Sequence, residues 1–258
     1  MLRQRLLVAA VGLPLLALLL AAPEPVFAAG VTLILAAAAF EMARAASSGA
    51  SPAYAMGAAA VVALFAAAAR AIPGFPTLPF IAMAAVTLGL LLHPRGRIGV
   101  TDGGWWLGTV LYVALGAHLI LLRGVEDGRE WLIVLIATAF ATDTGAYAVG
   151  RLFGRHLLWP AVSPKKTWEG GIGGLIAGAA TFIVAHGSFD LGLGHTAAAV
   201  ALLLPLAAIA GDLLESALKR QMGVKDMSGL LPGHGGLLDR LDSLLVVGVC
   251  LYSMVRWL

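Results

Sequence analysis

The stretch HTAAAVALLLPLAAIAGDLLESALKR, residues 195–220, has no Asp, Glu, Lys or Arg until Asp212, and then four such side chains: Asp212, Glu215, Lys219 and Arg220. An uninterrupted apolar run of about 20 residues is long enough to cross a bilayer as one helix. The rest of the chain repeats the pattern. It has 258 residues, is 60% hydrophobic and 12% charged, and has a mean hydropathy of +0.93. Soluble domains are nearer 45–50% apolar and about 25% charged. The reading is therefore an all-α integral membrane protein, a polytopic bundle of about nine transmembrane helices with a polar site facing the cytoplasm. The single cysteine, Cys250, lies in an apolar run and gives no sign of an oxidising compartment.

The nine runs lie near 5–22, 26–45, 53–69, 77–93, 105–122, 131–150, 170–187, 195–215 and 243–258. Charge tests the count. With nine spans, the N-terminus and the loops after spans two, four, six and eight share one side. That side holds 13 of the 17 Lys and Arg; only Arg70, Arg123, Arg129 and Arg256 fall on the other. The excess of bases puts the N-terminus and the even loops in the cytoplasm. Arg3, Arg5, an apolar run and PVFAAG also resemble a secretory leader cleaved after Ala28. An uncleaved first span is expected, because the rest of the chain is polytopic.

Two regions follow. Residues 1–130 read as N-terminal transmembrane scaffold, since the first five spans carry almost no ionic groups apart from their loop ends. Residues 131–258 read as the catalytic region. Its two longest polar connections, about 151–169 and 216–242, are both cytoplasmic, and chemistry concentrates in such loops.

On a helix, Asp212 shares a face with Glu215 and Ser216. A carboxylate at the end of a span is costly in lipid and usually faces an interior cavity. An equally simple account makes Glu215–Lys219 a surface pair. Downstream, VKDMSGLLPGHGGLLDRLDS breaks the helix at Pro232, Gly233, Gly235 and Gly236. The turn leaves backbone N–H groups free to face an anion, and a helix restarting at 237–243 adds its N-terminus. An ordinary loop with an acidic first turn would look the same. Taken together, Asp212, Glu215, Asp226, Asp239 and Asp242 bracket Lys219, Arg220, Lys225 and Arg240. Clustered carboxylates repel unless a cation joins them, and magnesium binds through one or two carboxylates while keeping positions for phosphates. Acid, base and glycine describe a metal–polyphosphate site. Asp143 within span six, and Lys165 and Lys166 in SPKKTWEGG, are candidates to join it. Membrane topology alone would also explain the two lysines.

KKT lacks the rest of a P-loop. Gly170, Gly174 and Gly178 recur every fourth residue, which in an apolar helix marks a close-packing face. His118, His186 and His195 have no metal-ligand spacing and read as core or interfacial. Trp105, Trp106 and Trp131 fit aromatic belts.

The run SALKRQMGVKDMSGLLPGHGGLLDRLD, residues 216–242, resembles the signature of the phosphatidate cytidylyltransferases, the CDP-diacylglycerol synthases. Ser216, Lys219, Arg220, Lys225, Asp226, Ser228, Pro232, His234, Gly235, Gly236, Asp239, Arg240 and Asp242 all match it. DTGAY and SPKKTWEG resemble further stretches of that family. The resemblance is legible from about residue 138 onward. It implies CTP and phosphatidic acid as substrates, CDP-diacylglycerol and pyrophosphate as products, Mg²⁺ as cofactor, a homodimer among membrane lipids, and no nucleic-acid partner. The chemistry admits a second cation.

On that resemblance Asp212 and Asp239 are the first metal candidates, with Asp143 and Asp242 behind them. Lys219, Arg220, Lys225 and Arg240 would hold phosphates, aided by Lys165 and Lys166. Ser216 would bond a phosphate oxygen or a metal-bound water, while His234, Gly235 and Gly236 would shape the triphosphate pocket. Three other readings stay open, one of them a purely structural membrane protein, which would leave the carboxylates unexplained. A CTP-dependent lipid kinase would share the nucleotide and metal. A secondary transporter would place its carboxylates at the midplane rather than at one face.

Overall fold

A computed structural model describes residues 2–47, 51–72, 77–91, 102–233 and 235–257. Among the described residues there are ten α-helices: α1 (Leu2–Ala21), α2 (Glu24–Ala46), α3 (Pro52–Ala71), α4 (Thr77–Leu91), α5 (Asp102–Ala114), α6 (Ala117–Arg123), α7 (Gly128–Phe153), α8 (Trp168–Phe189), α9 (Ala197–Met222) and α10 (Asp242–Trp257). The nine expected spans all appear as helix, the fifth as α5 and α6 in sequence. Among the described residues, six segments are long and apolar enough to cross a membrane: Glu24–Ala46, Pro52–Ala71, Asp102–Arg123, Gly128–Phe153, Trp168–Phe189 and Gly194–Met222. The chain is a multi-pass, nearly all-α membrane protein. The described helix α4, with 15 residues, and α10, with 16, are shorter than about 20 residues.

The α5–α6 break falls at Leu115–Gly116. There the backbone bonds tighten to i→i−3, as in His118 N to Leu115 O at 3.1 Å and Leu119 N to Gly116 O at 3.0 Å. The His118 ring also bonds the Leu115 carbonyl at 2.8 Å, and His118 is buried, as read.

The chain divides into two units: Met1–Leu121 with Leu218–Leu241, and Leu122–Ala217 with Asp242–Leu258. In the first, α2 packs on α3 and α5. The α3 side of this core is Ala55, Ala58, Val62, Ala66 and Ala69, all buried at spacings of three and four. Small residues at that period let membrane helices approach closely. Ser47 Oγ donates to Asp102 Oδ1 at 2.8 Å, the Tyr54 hydroxyl to the Asp102 carbonyl, and Trp106 Nε1 to Tyr54 O at 3.1 Å. These bonds join the C-terminal end of α2 and the N-terminal ends of α3 and α5.

In the second unit α7 and α8 form the closest helix pair. Gly170, Gly174 and Gly178 do line the contact. A Cβ on Gly170 would stand 2.8 Å from the Ala146 carbonyl oxygen, and one on Gly174 would stand 2.8 Å from the Thr142 carbonyl oxygen. Trp131, expected in an aromatic belt, is instead 5% exposed. It lies in the first turn of α7, where it meets His186 near the end of α8 with ring centroids 6.2 Å apart. Protein, not the bilayer interface, surrounds it.

The 151–169 connection is not plain loop. Strands β1 (Leu157–Trp159) and β2 (Ser163–Thr167) pair antiparallel. Pro160 follows Trp159, and Val162 N donates back to Trp159 O at 3.1 Å, a turn that favours proline at its second position. Glu169 closes the base: Oε2 accepts from the N–H groups of Arg155 (3.1 Å) and His156 (3.2 Å), and Oε1 meets His156 Nδ1 at 2.6 Å. Thr167 Oγ1 caps α8 by accepting from Gly170 N at 3.1 Å.

The α7–α8 contact yields a direct test. Gly174→Ala forces a Cβ against a backbone carbonyl, so overpacking of about 1–3 kcal/mol is expected. Gly187→Ala, on the same helix with nothing within 4 Å, is expected to leave stability unchanged or raised. Thermal unfolding in detergent distinguishes them: only Gly174→Ala lowers the midpoint.

Candidate active site

The sequence-derived site residues fall in both units. In the second, Asp212 lies in the second half of α9 and forms an ion pair with Lys166 of β2, Nζ to Oδ2 2.5 Å. The side chains are 33% and 26% exposed. Lys165 precedes Lys166 on the strand and is exposed. Asp242 opens α10 and accepts from Ser243 N at 2.7 Å through Oδ1. Gly211 brings this start of α10 alongside α9. A Cβ there would be 2.9 Å from both the Asp242 carbonyl oxygen and Ser243 Cα. Asp212 follows Gly211 directly, so two metal candidates sit on adjoining backbone. Ser216 is half-buried and Asp143, in α7, is exposed. Glu215 is fully buried, which removes the account of it as part of a surface pair.

In the first unit, the signature segment wraps around Asp239. Helix α9 ends at Gly223, whose φ of +73° suits glycine, with Val224 N bonded to Lys219 O at 3.0 Å. The chain returns through an isolated bridge, Leu231 N to Gly235 O at 2.8 Å, into a 3₁₀ turn at Leu238–Arg240. Asp239, on that turn, has a side chain only 4% exposed. Its Oδ1 takes Lys219 Nζ at 2.9 Å; its Oδ2 takes Gly236 N at 2.7 Å and Met227 N at 3.1 Å. A Cβ on Gly235 would press on Oδ2 at 2.5 Å, and the φ of +82° there also favours glycine.

A second carboxylate completes this arrangement, and the sequence reading missed it. Glu41, in the α2 run read as scaffold, is 7% exposed. Its Oε1 accepts from Ser228 Oγ at 2.6 Å, and its Oε2 from Leu237 N at 2.7 Å and Leu238 N at 3.0 Å. The lone acid near the end of an apolar run, a costly residue there, was the available signal. The turn's N–H groups, expected to be free for an external anion, are therefore engaged at Gly236, Leu237 and Leu238 by the protein's own carboxylates. A buried, unpaired N–H is expensive, so internal acceptors win wherever they reach.

Arg220, Lys225 and Arg240 are exposed. His234 lies outside the described residues. Among the described residues of each unit, no three His, Cys, Asp or Glu side chains gather in a metal-ligating group.

The sequence profile of the cytidylyltransferase family matches residues 3–258. The chain belongs to the cytidylyltransferase family. Individual relatives agree. A phosphatidate cytidylyltransferase of Staphylococcus haemolyticus is 40% identical over 168 residues, 65% of this chain and 64% of the relative. One of Staphylococcus saprophyticus is 37% identical over the same length. One of Mycobacterium bovis is 43% identical over 150 residues, 57% of this chain and 47% of the relative. The chain thus spans less than two thirds of the length of these relatives. Within this cytidylyltransferase chain, the family profile takes in α2 as well as the signature segment.

The buried Lys219–Asp239 pair generates an expectation for the family fold. Removing one partner of a buried ion pair strands the other, at a cost of about 3–5 kcal/mol. Asp239→Asn is expected to speed amide exchange at Met227 and Gly236 by at least about tenfold, since each 1.4 kcal/mol is a factor of ten. Unchanged exchange at both amides would contradict the described bonding.

Proposed function

We propose that this chain is a phosphatidate cytidylyltransferase. It transfers CMP from CTP to phosphatidic acid and gives CDP-diacylglycerol and pyrophosphate in phospholipid biosynthesis. The observation that carries this reading is the joined one: a family profile matching residues 3–258, with a signature segment whose Lys219, Asp239 and paired glycines form a buried framework.

The framework leaves its bases outward. Arg220, Lys225 and Arg240 are exposed, and so is Lys165. Bases in this pattern suit a triphosphate and a lipid phosphate. An oxygen of phosphatidate attacks the α-phosphorus of CTP in line, forming the new P–O bond as the bond to the pyrophosphate leaving group breaks. The attacking oxygen is already anionic, so no strong general base is needed. Positioning and charge neutralisation supply the rate. Ser216 would bond a phosphate oxygen or a metal-bound water.

The donor set fits Mg²⁺. Asp212, Asp239, Asp143 and Asp242 offer only hard oxygen ligands, and Mg²⁺ needs few of them because it keeps waters and substrate phosphates. Asp212 and Asp239 each already accept a cationic ammonium, from Lys166 and Lys219 respectively. Asp212, with Asp143 and Asp242 next, is assigned as a holder in the second unit and Asp239 in the first. Bound Mg²⁺ would neutralise charge on the triphosphate. A second cation, a homodimeric assembly and a cytoplasm-facing site belong to the same proposal.

Two measurements test it. Purified protein is given phosphatidic acid, Mg²⁺ and CTP labelled at the α- or γ-phosphate. The α label is expected in lipid and the γ label in pyrophosphate. The γ label in lipid would mean a kinase, and label in neither would exclude both. Second, Asp212→Asn and Asp239→Asn are both expected to lose turnover. They should differ in stability, because Asp212 is a third exposed with one ion pair while Asp239 is buried. Asp212→Asn should shift the thermal midpoint little, as partly exposed pairs contribute about 0–1 kcal/mol. Near-normal turnover in either variant would remove that aspartate from the metal assignment.

A further inference from the structure

We propose that Glu41 of α2 is a positioning residue for the signature segment, fixing the turn that carries Asp239. The inference rests on the reading of residues 216–242 as the reactive site.

The 3₁₀ turn Leu238–Arg240 begins with N–H groups that have no partner within the turn, the general problem of helix starts. The usual remedy is a Ser, Thr, Asp or Asn at the cap. Here the preceding residue is Leu237, which has no acceptor, and no side-chain cap bond is made. Glu41 supplies the acceptor from a different helix, nearly 200 positions away in sequence. Its Oε2 takes the N–H groups of Leu237 and Leu238, at 2.7 and 3.0 Å. It is a borrowed cap.

The same carboxylate holds the other side of the loop. Ser228 Oγ donates to Oε1 at 2.6 Å and accepts from Leu230 N at 3.1 Å. Ser228 follows Met227, whose N–H bonds Asp239. Glu41 therefore clamps both segments that meet at the Asp239 carboxylate. Gly236 makes room for it: a Cβ there would stand 2.9 Å from Glu41 Oε2 and 3.0 Å from Ser228 N. Of the paired glycines, one clears space for Asp239 and the other for Glu41. Both Glu41 oxygens are taken by groups of the loop itself, so its action is on the loop.

The donors to Glu41 are neutral N–H and O–H groups, so geometry matters more than charge. Glutamine preserves that geometry. Its oxygen can accept from Leu237 and Leu238, and its amide can donate to Ser228 Oγ, whose own proton rotates away. Alanine leaves the buried Leu238 N–H and the half-buried Leu237 N–H without an acceptor.

The experiment compares Glu41→Ala, Glu41→Gln and wild type in two assays. The first is amide exchange in the detergent-solubilised protein. Glu41→Ala is expected to speed exchange at Leu237 and Leu238 by at least about tenfold, and Glu41→Gln by less than about threefold, with the α3 amides unchanged in both. The second is turnover with saturating CTP and phosphatidate. Glu41→Ala should lower kcat roughly 10- to 100-fold, and Glu41→Gln should retain it within about threefold. Ser228→Ala, which keeps two of the three bonds, gives an intermediate loss and serves if Glu41→Ala does not fold. Equal loss of turnover in Glu41→Ala and Glu41→Gln would assign the charge itself a role and overturn the proposal. Wild-type exchange in Glu41→Ala would overturn it as well. An inactive wild type would refute the assigned reaction, while the exchange result would still decide the role of Glu41.

Discussion

A glycine- and proline-rich turn leaves its own N–H groups unanswered, and at the edge of an apolar bundle they must be answered from within the protein. In this chain two carboxylates do it. Asp239 takes Gly236 and Met227, and Glu41 takes Leu237 and Leu238. The signature segment owes its shape to that pair of acceptors. Asp239 is further neutralised by Lys219, whereas Glu41 relies on hydrogen bonds alone among the described contacts. Both solutions follow the rule that a buried charge must be hydrogen-bonded or paired.

Glycine does two different jobs in the two units. Along α8 it removes bulk so that α7 can approach, and the spacing of Gly170, Gly174 and Gly178 announces this. In the signature segment Gly235 and Gly236 remove bulk so that carboxylates can approach. The first role has a period and can be read from the chain. The second has none, because the carboxylate it serves at Gly236 comes from α2.

The helices were legible because each is an apolar run bounded by proline, glycine or charge. The α7–α8 contact was legible for the same reason. The hairpin at Leu157–Thr167 was overlooked although Pro160 sits at the favoured turn position, because its strands are only three and five residues long. At the site, the list of ionic residues was legible and their partners were not. Nothing local distinguishes Lys166, paired with Asp212, from exposed Lys165. Glu41 escaped because an acid near the end of an alanine-rich run reads as a scaffold residue, and its donors lie far along the chain in the signature segment.

The Glu41–Ser228 bond spans 187 positions. Ribosomes add about 5–20 residues per second, so helix α2 precedes its partner segment by about ten to forty seconds. During that interval the acid has none of these donors, and the first unit lacks Leu218–Leu241. The nascent N-terminal helices are thus an unfinished object in the membrane, completed only when the signature segment emerges.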